Sequence, residues 1–189
     1  MHRQLLRQLL QQHKPVDSQE QAMTQATIAF VKANPAAFDR SLLAGHITGS
    51  AWIVSPDRQQ TLLIHHRKLD RWLQPGGHAD GDPDVAAVAL REAQEETGLS
   101  SLRLITPVGS PEKIGASPPI FDVDIHTIPA HNEVPEHLHY DIRFLLEADP
   151  HEPLSTSAEV NSIRWFLLKM VKNYADSPSI FRLMQKIMA

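Results

Sequence analysis

Leucines at 5, 6, 9 and 10 recur at helical spacing among Arg and Gln, and predict an amphipathic first helix over about 2–12. A second helix opens at Ser18, where Ser18 and Gln21 have the spacing of a capping box. Its Met23, Ile28, Phe30 and Val31 need cover from the domain core, a partner subunit or both. Asn34-Pro35 stops that helix and caps a short third one ending at Gly45. The period then shortens to that of strands, over about 46–54, 60–66, 119–127, 137–147 and 160–168. Ser177-Pro178 opens a last helix carrying Ile180, Phe181, Met184 and Ile187. Interleaved strands and helices predict an α/β or α+β domain and leave strand order open.

The segment from Gly77 to Leu99 is the best punctuated of the chain. Asp82 reads as a helix N-cap, Pro83 as the first helical residue, whose missing N–H costs nothing there, and Gly98 as the C-cap. Within this helix Ala86, Leu90, Ala93 and Thr97 form one largely apolar face, while Glu92, Glu95 and Glu96 share another. Three neighbouring carboxylates repel unless solvent or a cation offsets their charge, and hard oxygen ligands select Mg²⁺ or Mn²⁺. Taken alone, the triad also fits a plain solvated helix face.

The wider pattern is more specific. Gly77 followed by Arg91-Glu92-Ala93-Gln94-Glu95-Glu96-Thr97-Gly98-Leu99 resembles the Nudix box, a glycine and a glutamate followed by REUxEExGU with U aliphatic. The flanks agree: Leu62 to His65 reads as a strand, and Trp72-Leu73-Gln74-Pro75-Gly76-Gly77 is similar to the family's entry into the box. The resemblance implies an α/β/α sandwich with a mixed sheet. Here that sandwich would carry an N-terminal helical extension (1–44), the Nudix domain (45–175) and a C-terminal helix (176–189). It also implies metal-dependent hydrolysis of a nucleoside diphosphate linked to another group, with release of a nucleoside monophosphate. Glu92, Glu95, Glu96 and the Gly77 carbonyl would hold Mg²⁺ or Mn²⁺, Glu92 would be a ligand or the general base, and Arg91 an orienting partner.

One position departs from the family pattern: Pro83 stands where the first box glutamate belongs. Arg91 then needs another partner, and Asp80, Asp82 and Asp84 are near enough in sequence to serve. The rival expectation is a nucleotide-binding or sensor module that keeps the fold and has lost turnover.

Two alternating runs around a Pro-containing loop, in FDVDIHTIPAHNEVPEHLHYDIRFLLEAD, predict a β-hairpin. Alternation sets Phe121, Val123, Ile125, Leu138, Tyr140, Ile142 and Phe144 on one face. Asp122, Asp124, His126, His137, His139, Asp141 and Arg143 fall on the other. If that polar face looks into a cleft above the box helix, His126, His137, His139 and Asp141 would contact substrate or assist a metal; if it looks outward, it is a solvated sheet face. Arg67 and Lys68 would meet phosphate oxygens and Trp72 would stack on a base, or they form an ordinary basic turn. Trp52 and Trp165 lie in strand-like apolar runs and belong to the core.

Composition narrows the class. At 189 residues the chain is one domain with an appendage, and it has no cysteine for a disulfide framework or a zinc-finger spacing. The N-terminal pattern is not that of a signal peptide, and no apolar run approaches a membrane span. A cytoplasmic enzyme is therefore expected. The formal charge of −4 argues against broad nucleic-acid binding and fits a small phosphorylated metabolite or nucleotide, with a homodimer contact on the second helix as an option. The sequence does not fix the substrate; ADP-ribose or a nucleotide sugar is the expectation. The signatures associated with the coenzyme A and NADH branches are missing, as is the tyrosine expected of dinucleoside polyphosphate hydrolases. The isopentenyl diphosphate isomerase branch uses a cysteine that this chain lacks.

Overall fold

The computed structural model describes residues 2–107, 109–110, 113–115, 117–131, 134–158, 160–175 and 177–188. Two helices, α1 (Gln4–Gln12) and α2 (Ser18–Ala33), precede β1 (Gly45–Val54), β2 (Gln60–His66), β3 (Arg71–Leu73) and β4 (Gly76–His78). The box helix α3 (Val85–Thr97) leads to β5 (Arg103–Leu104), β6 (Asp122–Ile128), β7 (His137–Glu147) and β8 (Val160–Leu167). A 3-10 segment (Leu168–Asn173) and α4 (Pro178–Met188) complete the described elements.

The strands form one mixed sheet. β1 and β7 run parallel along its centre, paired from Gly45↔Leu138 to Val54↔Glu147, and the other pairings are antiparallel. β1 shares its second edge between β4, at Thr48–Ser50, and β2, at Ile53–Val54. The sheet therefore divides where β3 crosses to β4, and the Pro75 carbonyl closes the gap by accepting from Ala51 N–H at 2.9 Å. In β4 a Cβ at Gly76 would meet Ser50 and one at Gly77 would meet Glu92, so the two glycines address opposite faces of the sheet.

Each face buries its own apolar cluster. Ile47, Ala51, Ile53, Ile142 and Phe144 pack beneath α1, α2 and α3, where Phe30 stacks on Tyr140 with ring centroids 3.9 Å apart. Trp52, Val54, Leu63, Leu145 and Phe166 pack beneath the 3-10 segment and α4. The result is the expected α/β/α sandwich with a mixed sheet and helices ahead of it. The apolar surface of α2 is covered within the chain: Phe30 and Val31 are buried, and Met23 and Ile28 pack on the same cluster.

Glu20, fully buried on α2, stitches the layers together. Its carboxylate accepts from His13, from the backbone N–H of Val16 and Val123, and from Lys186 of α4. Burial opposes its ionisation, but His13 and Lys186 outweigh that cost and hold its pKa well below the usual carboxylate range.

Several boundaries differ from the sequence expectation, each for a local reason. Asp17, not Ser18, caps α2, because Asp17 Oδ1 accepts from Glu20 N–H at 2.7 Å. No third helix precedes Gly45. Successive i to i+3 turns run through Asn34, Ala36, Asp39 and Leu42, while the Ala37 and Phe38 carbonyls accept from Ile47 and Gly81 instead of continuing a helix. The box helix starts at Val85, two residues after Pro83: Asp84 caps it by accepting from Ala87 N–H, and Asp82 accepts from Asp84 N–H across the proline. Gly98 is the C-cap as expected, at a left-handed φ of 72°. β6 begins at Asp122: Pro118 and Pro119 have no N–H for a ladder, and Phe121, whose N–H still donates to the Arg143 carbonyl at 2.8 Å, packs in the second cluster instead of on the face of Val123.

Candidate active site

Packing forces the box helix close to the sheet. A Cβ at Gly49 would lie 2.8 Å from the Val85 carbonyl oxygen, so only glycine lets the first turn of α3 rest on β1. Gly77, the β4 partner of Gly49, looks toward the same helix, where a Cβ would overlap the Glu92 carboxylate. Bare backbone at 77 thus receives the side chain of Glu92. One residue earlier, Gly76 N–H donates to Glu96 Oε2 at 2.9 Å, which anchors the second glutamate on the same short strand.

The three glutamates differ in exposure. Glu96 is nearly buried, Glu92 is partly buried and Glu95 is open to solvent. Burial raises the pKa of Glu92, with Glu95 and Asp80 adding to the effect, and the Arg91 guanidinium opposes it. Arg91 Nη2 donates to Glu92 Oε1 at 3.2 Å, its Nη1 lies 3.8 Å from Asp82 and its Nε 4.0 Å from Glu95. Of the three aspartates near Pro83, Asp82 is the one that pairs with Arg91. Asp80 is bound by Arg40, and Asp84 is the helix cap.

These residues suit a hard divalent cation. Carboxylate oxygens, one of them laid against a glycine where a Cβ would not fit, are the donor type that Mg²⁺ and Mn²⁺ select. The family model for the NUDIX domain matches residues 46–186, from the start of β1 into α4. The chain belongs to the Nudix family. That membership places it among the pyrophosphohydrolases, a family that in general uses divalent metal. Among solved structures, the Nudix fold is shared with an Ap4A hydrolase of C. elegans at 17% identity and TM-score 0.52, over 75% of this chain and 94% of that one. A Nudix hydrolase of Clostridium perfringens aligns at 22% identity and TM-score 0.51, over 76% of this chain and 96% of that one. The dihydroneopterin triphosphate pyrophosphohydrolase of E. coli aligns at 15% identity and TM-score 0.52, over 74% and 92%. Among curated proteins, no sequence matches significantly.

The other candidate residues of this Nudix chain fall into two places. Arg67 and Lys68 are exposed just past β2, where Arg67 Nε donates to Asn161. Trp72, on β3, packs edge-on against His65 and Phe166, and with Arg71, Lys172 and Tyr174 it lines an open cavity of about 260 Å³. The hairpin residues His126, His137, His139 and Asp141 lie on the sheet face away from the box helix, and that face is not simply solvated. Asp141 is buried: its Oδ1 accepts from Thr48 and Ser50, and its Oδ2 from Gln74 and Arg143.

Arg143, also buried, bridges Asp141, Asp122 and Asp124. Arg182 of α4 closes the network on Asp122 and Asp124. Burial opposes ionisation of Asp124, but Arg143, His126 and Arg182 hold its pKa low. Two histidines not singled out from the sequence, His46 and His78, join His126, His137 and His139 with neighbouring rings 4.8–5.4 Å apart. Burial first, then the neighbouring histidines, push His46 down to about 4 and His139 down to about 2. The Leu42 backbone acts the other way on His46.

Proposed function

We propose that this Nudix enzyme hydrolyses the pyrophosphate bond of a nucleoside diphosphate linked to another moiety, such as ADP-ribose or a nucleotide sugar, with Mg²⁺ or Mn²⁺ as cofactor. The observation that carries this reading is the seating of Glu92 against Gly77 beside a Glu96 anchored on Gly76 N–H. A bound divalent ion would supply charge neutralisation at the pyrophosphate oxygens and a more acidic water. Glu92, Glu95, Glu96 and the Gly77 carbonyl are the proposed ligands. Arg91 fixes the Glu92 carboxylate through its guanidinium, and Glu92, its pKa raised by burial, is the proposed proton acceptor for the attacking water.

Outside the metal site, the cavity beside Trp72 supports recognition of a base by an aromatic face, with Arg71 and Lys172 at hand for phosphate charge. Arg67 and Lys68 extend that basic margin along the β2–β3 turn. The weakened-module reading rests on Pro83, and it is disfavoured by the pairing of Arg91 with Asp82. The test is release of nucleoside monophosphate from a panel of ADP-ribose, nucleotide sugars and dinucleotides, with Mg²⁺, Mn²⁺ or EDTA. Metal-dependent turnover of one class supports the proposal and names the substrate. Nucleotide binding without turnover on any member overturns it in favour of the binding module.

A further inference from the structure

On the sheet face away from the box helix, alternate residues of β1 read His46, Thr48, Ser50, Trp52 and Val54. Their parallel partners on β7 are His139, Asp141, Arg143, Leu145 and Glu147. The Trp52 and Leu145 end is apolar and covered by α4. At the polar end, register alone assembles a histidine set, because His46 pairs with His139 while Thr48 pairs with both Asp141 and His78. Three adjacent strands, β4, β1 and β7, each contribute one imidazole.

We propose that His46, His78 and His139 form a binding site for one transition-metal ion of the Zn²⁺ class, separate from the carboxylates of the box helix. One ring nitrogen from each of the three lies within 4.8 Å of the other two. His46 Nε2 and His139 Nε2 are 3.1 Å apart. A tetrahedral ion with Zn–N bonds of 2.0–2.1 Å holds its ligand nitrogens about 3.3 Å apart, so this pair is already close to the required spacing. His46 is 2% exposed, so its ring is fixed by the packing around it.

The surroundings favour a rigid site. Beneath the rings, Thr48 and Ser50 are fixed on Asp141, which Arg143 holds in turn. His126, whose ring is 5.4 Å from His139, is itself paired with Asp124, and His137 is 5.0 Å from His46. Either is near enough for small adjustments to bring a fourth nitrogen into play, with water as the alternative. Imidazole nitrogens select Zn²⁺, Ni²⁺, Co²⁺ or Cu²⁺ over Mg²⁺, the reverse of the preference of three glutamates. His78 follows Gly77 directly in β4, so the two donor sets stand back to back across one strand, and an ion here would clamp the ends of β1, β4 and β7.

The test uses the full chain stripped of metal and then held in excess Mg²⁺, titrated with Co²⁺ while the visible spectrum and the bound metal are followed. The expected result is one equivalent of Co²⁺ with the intense absorption of a tetrahedral nitrogen site, displaced by Zn²⁺. His78→Gln and His139→Gln should each weaken uptake at least tenfold, and Glu95→Gln should leave it unchanged. His78 is only half-buried, in the three-residue strand β4, so its variant serves if His139→Gln fails to fold by circular dichroism. Absence of Co²⁺ uptake in excess Mg²⁺ would overturn the proposal, as would uptake that persists in folded His78→Gln or vanishes in Glu95→Gln. Because the readout is metal binding, this result is independent of whether the proposed hydrolysis is found.

Discussion

Arg91 lies 3.8 Å from the carboxylate of Asp82, the residue just before Pro83. The side chain thereby has an acidic partner in the turn ahead of α3. The contact is looser than a bidentate pair, and both side chains are about 40% exposed, so its worth is that of a surface ion pair.

Asp82→Asn should therefore lower kcat no more than about fivefold, the equivalent of ~1 kcal/mol. Pro83→Glu should keep or raise the rate, and in the double variant it should restore what Asp82→Asn removes. Steady-state kinetics of the two single variants and the double variant measure the coupling; strict additivity would show that the two positions do not serve the same arginine.

Gly77→Ala tests the contact between β4 and Glu92. A methyl group there collides with the Glu92 carboxylate, and the backbone at 77 is not left-handed, so the damage is steric and confined to the site. Displacing a catalytic group by about 1 Å costs on the order of 10²-fold in rate, and that loss is expected in kcat with little change in Tm. A variant with undiminished kcat would separate Glu92 from the chemistry.

The buried charge network on the other face predicts a stability effect. Arg143→Met leaves Asp122, Asp124 and Asp141 without their shared cation, although Arg182 still reaches the first two. Removing one partner of such a buried network costs about 3–5 kcal/mol, readable as a lower denaturant midpoint. An unchanged midpoint would mean that the aspartates are neutral or solvated in the folded state.

Much of this arrangement is legible in the sequence. Alternation located the five long strands, and the punctuation around Glu92, Glu95 and Glu96 located the box helix and its Gly98 cap. Alternation also set Asp124, His126, His139 and Asp141 on one face of the hairpin, whereas the register that puts Asp124 opposite Asp141 and His126 opposite His139 is visible only in the strand pairing. The cap expected at Asp82 lies two residues on, because it is the Asp84 side chain that reaches the Ala87 N–H, a choice between two identical side chains that spacing does not make. β3, β4 and β5 are only two or three residues long and exist through pairing with distant strands, so they carry no period of their own. His46 and His78 escaped notice for the same reason: they meet His139 only through the pairing of β1 with β7 and β4.

Acid should destabilise the fold through Glu20 and Asp124. Both have folded-state pKa values below their ordinary 4.5 and 3.8, so their contribution is complete above those values and is lost as pH falls toward the lowered ones. Tm measured from pH 7 down to about pH 3 should fall steeply below about 4.5, and Glu20→Gln, less stable at neutral pH, should fall less steeply. Parallel profiles for the two proteins would remove Glu20 from the account.

The most direct test of the central claim compares wild type with Glu96→Gln in Mg²⁺-dependent hydrolysis of the substrate found in the panel. The amide keeps an oxygen to accept from Gly76 N–H, so the fold and Tm should hold while one ligand charge is lost. The account predicts a rate loss equivalent to several kcal/mol, roughly 10³-fold, with nucleotide binding retained. Turnover close to that of wild type in this variant would contradict the assignment of the box-helix glutamates as the metal site.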